Sequence, residues 1–215
     1  PEAQVNDKKI FSTPQGFKDV LNGIYITASG EKLYANNLLF GFTDVLAQYY
    51  NQITTQEHEY IKTVDFKYNE PVDKAVIEKI WSTQYKAIAN LNTLLAYIDK
   101  KQEVFSSDAI YRIYKGEALG LRAFMHFDLL RIFSEQITQN PEAAGIPYAT
   151  QFSLTAPEFL KAKDVYTRIK NDLKEAEKLL NDPELYSSAT AIDNYLKDQS
   201  THFNLQAVQG TLARV

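Results

Sequence analysis

Apolar residues recur along most of this chain at three- and four-residue steps, the spacing of helix faces rather than of strands. From Val72 to about Asp99, Ile77, Ile80, Ile88, Leu91, Leu95 and Ile98 hold one stripe, with Gln84 as its single polar interruption and Trp81 and Tyr85 beside it. That pattern predicts a long helix. A second runs from Val165 to Leu180 through Ile169, Leu173 and Ala176, has a Lys- and Glu-rich outer face, and is closed by Asn181-Asp182-Pro183. Near the start, Ser12-Thr13-Pro14 offers a helix beginning, and Phe17, Val20, Leu21, Ile24 and Tyr25 share one face up to Ser29-Gly30. A last helix is expected from Asn204, with Leu205, Val208 and Leu212 on one face and no closing signal before Val215.

Between the two long stripes lies GEALGLRAFMHFDLLRIF, Gly116 to Phe133, preceded by the cap candidates Ser106-Ser107-Asp108. Its apolar residues wrap most of the way round a helix, the signature of a central, nearly surrounded element. Glu117, Arg122, His126, Asp128 and Arg131 are scattered through it rather than gathered on one solvent face. An unpaired buried charge costs several kcal/mol, so Glu117, Arg122, Asp128 and Arg131 are expected to tie neighbouring helices or loop backbone through charge-assisted hydrogen bonds, and His126 to be a hydrogen-bonded core residue. Asp108 and Arg112, four apart, are expected to pair on the helix surface.

The connecting segments carry a weaker signal. Pro1 to Ile10 reads as a loose lead-in, Thr43 to Tyr50 has helical potential, and Asn51 to Asn69 is polar and β-branched, a long loop with some extended backbone. Asn140-Pro141 and Gly145-Ile146-Pro147 end the central helix, and Glu184 to Thr201 reads as a loop. The expected fold is all-α: tetratricopeptide-like helical hairpins with long irregular loops. The loops are unequal and the W-x2-LG-x2-Y signature is absent, so no strict repeat of roughly 34 residues is present.

Composition narrows the chemistry. The 215 residues are 45% hydrophobic, enough for a substantial core, and carry a formal charge of -4 with basic residues dispersed among acids. Nothing in that balance points to nucleic acid. With no cysteine, thiolate metal sites and cysteine nucleophiles are excluded, and His58, His126 and His202 show no metal-binding spacing. No cofactor is expected. No G-x-S-x-G or S-x-x-K motif argues for nucleophilic catalysis. Two carboxylates about 5 to 10 Å apart would suffice for glycoside hydrolysis, which keeps an all-helical hydrolase as a rival reading.

The central stretch closely resembles the "GEA…LRA…HFDLLR" helix of the SusD/RagB family, SusD-like outer-membrane nutrient-binding lipoproteins of Bacteroidetes. Trp81, Tyr85, Ile88 and Asn90 resemble its preceding helix, and Gly145-Ile146-Pro147-Tyr148, Val165 to Leu180 and Asn204 to Arg214 follow in the family's order. The resemblance implies that residues 1–215 form the family's N-terminal helical domain, cut within its last helix before the family's C-terminal half. It also implies a non-catalytic protein held at the cell surface by an N-terminal lipid anchor that this chain does not include. Its partners would be an oligosaccharide or polysaccharide ligand and a SusC-like TonB-dependent transporter.

Sugar binding needs aromatic planes beside amides and carboxylates that can pair hydroxyls. Those residue types concentrate between Asn36 and Tyr68, with Asn36, Asn37, His58 and Tyr68 among them. In the family this stretch contributes loops to the ligand face, and Phe42-Thr43-Asp44 resembles its acidic segment. The candidate ligand residues are therefore Asp44, Tyr49, Tyr50, Asn51, Gln52 and Tyr60. The leading expectation is glycan capture for uptake; a helical-repeat scaffold for a protein partner is the second reading.

Overall fold

The computed structural model describes residues 7–50, 53, 55, 57–155, 157–190 and 193–215. The chain divides into two compact units, one of residues 1–21 with 88–215 and one of residues 22–87. Helix α1 (Pro14–Ala28) and helix α3 (Pro71–Ile98) each supply residues to both.

The larger unit is built on α4 (Asp108–Phe133), which starts where Ser107 accepts the Ile110 N–H at 3.3 Å through its side chain. This helix is buried on nearly every side from Ile110 to Leu130, as its all-round apolar pattern requires. Its neighbour α5 (Ala162–Leu180) is amphipathic, burying Ala162, Val165, Ile169, Leu173, Ala176 and Leu180. The two run antiparallel. Phe127 meets Tyr166 with ring centroids 6.0 Å apart, Arg122 reaches Asp172, and Gly116 lies against Leu180. The glycines of GEALG make that approach possible: a Cβ on Gly116 would sit 2.7 Å from Leu180, and one on Gly120 would sit 2.6 Å from the Phe203 ring. Helix α3 also runs antiparallel to α4, since Asn92 bonds Arg122 while Asp99 takes Lys115 and Tyr111. Successive antiparallel pairs give the helical-hairpin architecture expected from the sequence, and among the described residues the fold is all-α apart from one two-stranded ribbon.

That ribbon, β1 (Ala144–Pro147) paired antiparallel with β2 (Phe159–Lys161), stands where only a helix break was expected. The segment from Glu184 to Thr201 likewise holds α6 (Leu185–Thr190) and two 3-10 turns, Asn194–Lys197 and Gln199–Thr201, rather than loop alone. The expected Asp108–Arg112 pair is replaced by a longer-range contact. Arg112 donates to Asp182 at 2.9 Å and to the Leu179 carbonyl at 3.2 Å, at the end of α5 where helix carbonyls lack intrahelical donors. Asn204 caps α7 (Leu205–Arg214) by accepting the Ala207 N–H at 3.0 Å.

In the smaller unit the expected helix from Thr43 to Tyr50 shortens to α2 (Phe42–Leu46), because Gln48 adopts a left-handed backbone at φ 60° and ends it. Described residues between 53 and 69 form turns and one 3-10 turn, Thr63–Asp65, with no strand among them. Thr63 donates its hydroxyl to the buried Asp73 in the first turn of α3, which pins that turn to the helix.

Candidate functional site

The smaller unit displays aromatic rings that the core does not use. Tyr49 is 78% exposed and Tyr50 51%, with Leu39 and Phe40 exposed nearby. Their presentation is fixed by the backbone. Gln48 turns the chain, the Tyr49 N–H returns to the Asp44 carbonyl at 3.1 Å, and the Tyr50 hydroxyl donates to the Phe40 carbonyl at 2.6 Å. Tyr50 is thus anchored by its polar end with half its surface free, while Tyr49 projects from the turn. One tethered and one projecting phenol beside apolar side chains offer flat C–H contact and hydroxyl pairing together.

Behind this surface lies a buried polar knot. Tyr60, 4% exposed, donates to Asn37 Oδ1 at 2.6 Å and accepts from Asn36 Nδ2 at 3.1 Å. The Asn36 carbonyl in turn receives the N–H groups of Leu39, Phe40 and Gly41 at 3.1, 2.9 and 2.8 Å. Burial, then the neighbouring Glu59, drives the Tyr60 hydroxyl well above the ordinary phenol range, so it stays protonated and keeps donating. Gly41 touches the knot directly: a Cβ there would lie 2.5 Å from the Tyr60 hydroxyl and 2.7 Å from Asn36 Oδ1.

Of the sequence candidates, Tyr49 and Tyr50 share the exposed surface, and Asp44 is half-buried on α2. Tyr60 belongs to the knot rather than to the surface, since its ring and hydroxyl are spent inside. Asn51 and Gln52 lie outside the described residues. Of the other polar residues in the region, His58 is exposed and accepts the Tyr60 N–H at 3.2 Å.

The charged residues of α4 sit in the larger unit. Arg122 makes a bidentate pair with Asp172 at 2.7 and 2.8 Å and a third bond to Asn92 at 3.0 Å. Tyr148 donates to the same Asp172 at 2.6 Å and stacks on His126 with centroids 4.0 Å apart. His126 accepts the Ala149 N–H at Nε2, 3.1 Å, which leaves Nδ1 to donate to the Arg122 carbonyl at 2.8 Å. Full burial, opposed only in part by that carbonyl, pushes the His126 pKa down to about 3, so the ring is neutral. Glu117 meets His202 at 3.0 Å, both buried, and Asp128 meets Arg131 at 2.9 Å. Among the described residues no group of three His, Asp or Glu side chains is placed to hold a metal ion.

The chain matches, over residues 2–215, the SusD-like family model described as "Starch-binding associating with outer membrane". It belongs to the SusD-like family. Solved structures show the same fold. A putative sugar binding protein from Bacteroides vulgatus ATCC 8482 superposes with a TM-score of 0.66 at 22% identity, over 88% of this chain and 44% of that one. A SusD superfamily protein from Bacteroides thetaiotaomicron VPI-5482 gives 0.65 at 20% identity, over 88% and 44%. A SusD-like carbohydrate binding protein from Bacteroides vulgatus ATCC 8482 gives 0.62 at 19% identity, over 94% and 44%. This SusD-like chain therefore spans less than half the length of these structures. No curated protein matches it.

Among the described residues of the smaller unit of this SusD-like chain, two exposed rings were not singled out from sequence, Phe40 and Phe66, at 66% and 51% exposure. Their residue type reads as core. The one available signal was context, since Phe66 stands between Asp65 and Lys67 in a run too polar to complete an apolar helix face.

Proposed function

We propose that this chain is the helical portion of a non-catalytic protein that binds glycans at the outer-membrane surface. The full-length protein hands oligosaccharide to a SusC-like TonB-dependent transporter and is held to the membrane by an N-terminal lipid. The observation that carries this reading is the family match over residues 2–215, with its starch-binding, outer-membrane description. The sugar-binding and carbohydrate-binding descriptions of two structural neighbours support it. Tyr49 and Tyr50 supply the binding surface, together with Asp44. Asn51 and Gln52, next in sequence, are proposed to add amide contacts.

A binding role also agrees with the polar chemistry of α4. Arg122, Asp172, Tyr148 and His126 satisfy one another inside the helical core, an arrangement that holds elements together rather than meeting a substrate. The protein-scaffold reading remains second, favoured by Phe152, Leu154 and Phe159, which stand 64%, 97% and 66% exposed around the link between β1 and β2.

Calorimetric titration of the chain with a panel of soluble oligosaccharides tests the leading reading, with Tyr49→Ala and Tyr50→Ala alongside. Heat from one glycan, lost in a variant whose circular dichroism is unchanged, is the expected result. Silence across the panel from both this chain and a C-terminally extended one removes it and promotes the scaffold.

A further inference from the structure

A second pair of aromatic rings stands out of the same smaller unit. Phe66 and Tyr68 are 51% and 44% exposed, with ring centroids 6.3 Å apart and edge to face. Phe66 holds a left-handed backbone, φ 58° and ψ 31°, a region that disfavours bulky side chains. The conformation is enforced by its own N–H on the Thr63 carbonyl at 3.0 Å and by the following Lys67 N–H on the Lys62 carbonyl at 3.1 Å. With the ring half in solvent, the core gains little from a phenylalanine at a position that glycine or asparagine would fill more easily.

Gln48 links this pair to the first one. Its side-chain amide donates to the Val45 carbonyl at 3.1 Å and to the Val64 carbonyl at 3.4 Å, bridging the turn that projects Tyr49 to the turn that projects Phe66. Chain geometry then keeps the Cα atoms of Tyr49 and Phe66 within roughly 22 Å of each other, a reach that a few linked sugar rings can span.

The charges around these rings have one dominant sign. Residues 39–70 carry Asp44, Glu57, Glu59, Asp65 and Glu70 against Lys62 and Lys67. Glu57, Glu59, Asp65 and Glu70 are exposed, and Lys67 is tied to Asp65 at 3.0 Å. Residues 22–87 contain no arginine, the side chain whose planar fork best matches a carboxylate. Exposed carboxylates accept hydrogen bonds from sugar hydroxyls and repel acidic sugars.

Building on the glycan-binding reading above, we propose that Phe66 and Tyr68 form a second aromatic subsite. Together with Tyr49 and Tyr50 it holds an extended glycan chain free of acidic sugars. Affinity gel electrophoresis tests this with the 215-residue chain on starch, xylan and galactomannan, each beside its carboxymethylated form. The unmodified polymer is expected to retain the protein more strongly, with the gap narrowing as salt screens the repulsion. On a length series of oligosaccharides from the retained polymer, Phe66→Asn removes the ring while keeping a residue suited to the left-handed backbone. It is expected to weaken long oligomers roughly three- to tenfold and to leave the shortest unchanged.

Equal or stronger retention by the carboxymethylated polymer, or a Phe66→Asn variant that binds long oligomers like the parent, overturns the proposal and leaves glycan binding standing. Retention of neither this chain nor a C-terminally extended one by any polymer overturns the glycan reading and the second subsite with it.

Discussion

At single positions, the contrast between Tyr49 and Tyr60 carries most of what the smaller unit can do. Both are tyrosines in one polar stretch, yet one is nearly free and the other closes a knot with Asn36 and Asn37. Tyr60→Phe leaves the buried Asn37 amide and the half-buried Asn36 amide each short of a partner, so urea unfolding should report a loss of about 1–3 kcal/mol. Gly41→Ala drives a methyl into the Tyr60 hydroxyl and Asn36 and is expected to lower stability by a comparable amount, about 1–3 kcal/mol, read by the same method. His126 makes a third prediction, on pH. Its folded pKa, about 3, lies below the ordinary 6.5, so the unfolded chain takes up a proton first as pH falls. The stability that His126 contributes is intact above pH 6.5 and drains between 6.5 and about 3, at a limiting slope of about 1.4 kcal/mol per pH unit. His126→Gln, whose amide can still accept the Ala149 N–H, should flatten that part of the stability profile; an unchanged slope between pH 6 and 4 would assign the acid sensitivity to the carboxylates instead.

Among elements, the helices were legible where burial imposes a period, and the rest was not. The α5 stripe and the all-round apolar pattern of α4 follow from packing each against neighbours, so residue spacing alone specified them. The β1–β2 ribbon and α6 are too short for any period to show, and they exist because the surrounding helices hold them. Arg112 illustrates the same limit, since its partner Asp182 stands seventy residues away in sequence and outcompetes Asp108 by meeting an unsatisfied helix end. The exposed rings were legible as residue types but not as surface, because a tyrosine in a knot and one on a platform look alike in sequence. The Arg122–Asp172 pair joins α4 to α5, with Asn92 of α3 as its third member. Arg122→Ala strands Asp172 and Asn92 in a largely buried setting and should cost about 3–5 kcal/mol. A double-mutant cycle with Asp172→Ala checks the origin: strong coupling places the loss in the pair, whereas additive losses would place it in side-chain packing.

For the molecule as a whole, the question is whether the exposed tyrosine surface and the core that holds the fold unfold together. The chain divides into two contact units, yet α1 and α3 each run through the division as one helix, at Leu21–Asn22 and at Ala87–Ile88. Melting one unit alone would have to break both helices internally, exposing backbone groups at two new ends and interrupting two hydrogen-bond ladders. Helix continuity therefore favours a single cooperative transition. A glycan bound only at the Tyr49 and Tyr50 surface would then stabilise the entire chain, by about 2.7 kcal/mol at a ligand concentration a hundredfold above Kd. For a chain of this size that corresponds to an upward shift in Tm of roughly 5–11 °C. Differential scanning calorimetry with and without the glycan distinguishes the cases. One endotherm that moves as a unit couples binding surface and helical core through α1 and α3, and a Tyr49→Ala variant should keep the endotherm and lose the shift. Two endotherms, only one of them responding to the sugar, would mean that the helices part at the division and that the smaller unit answers its ligand alone.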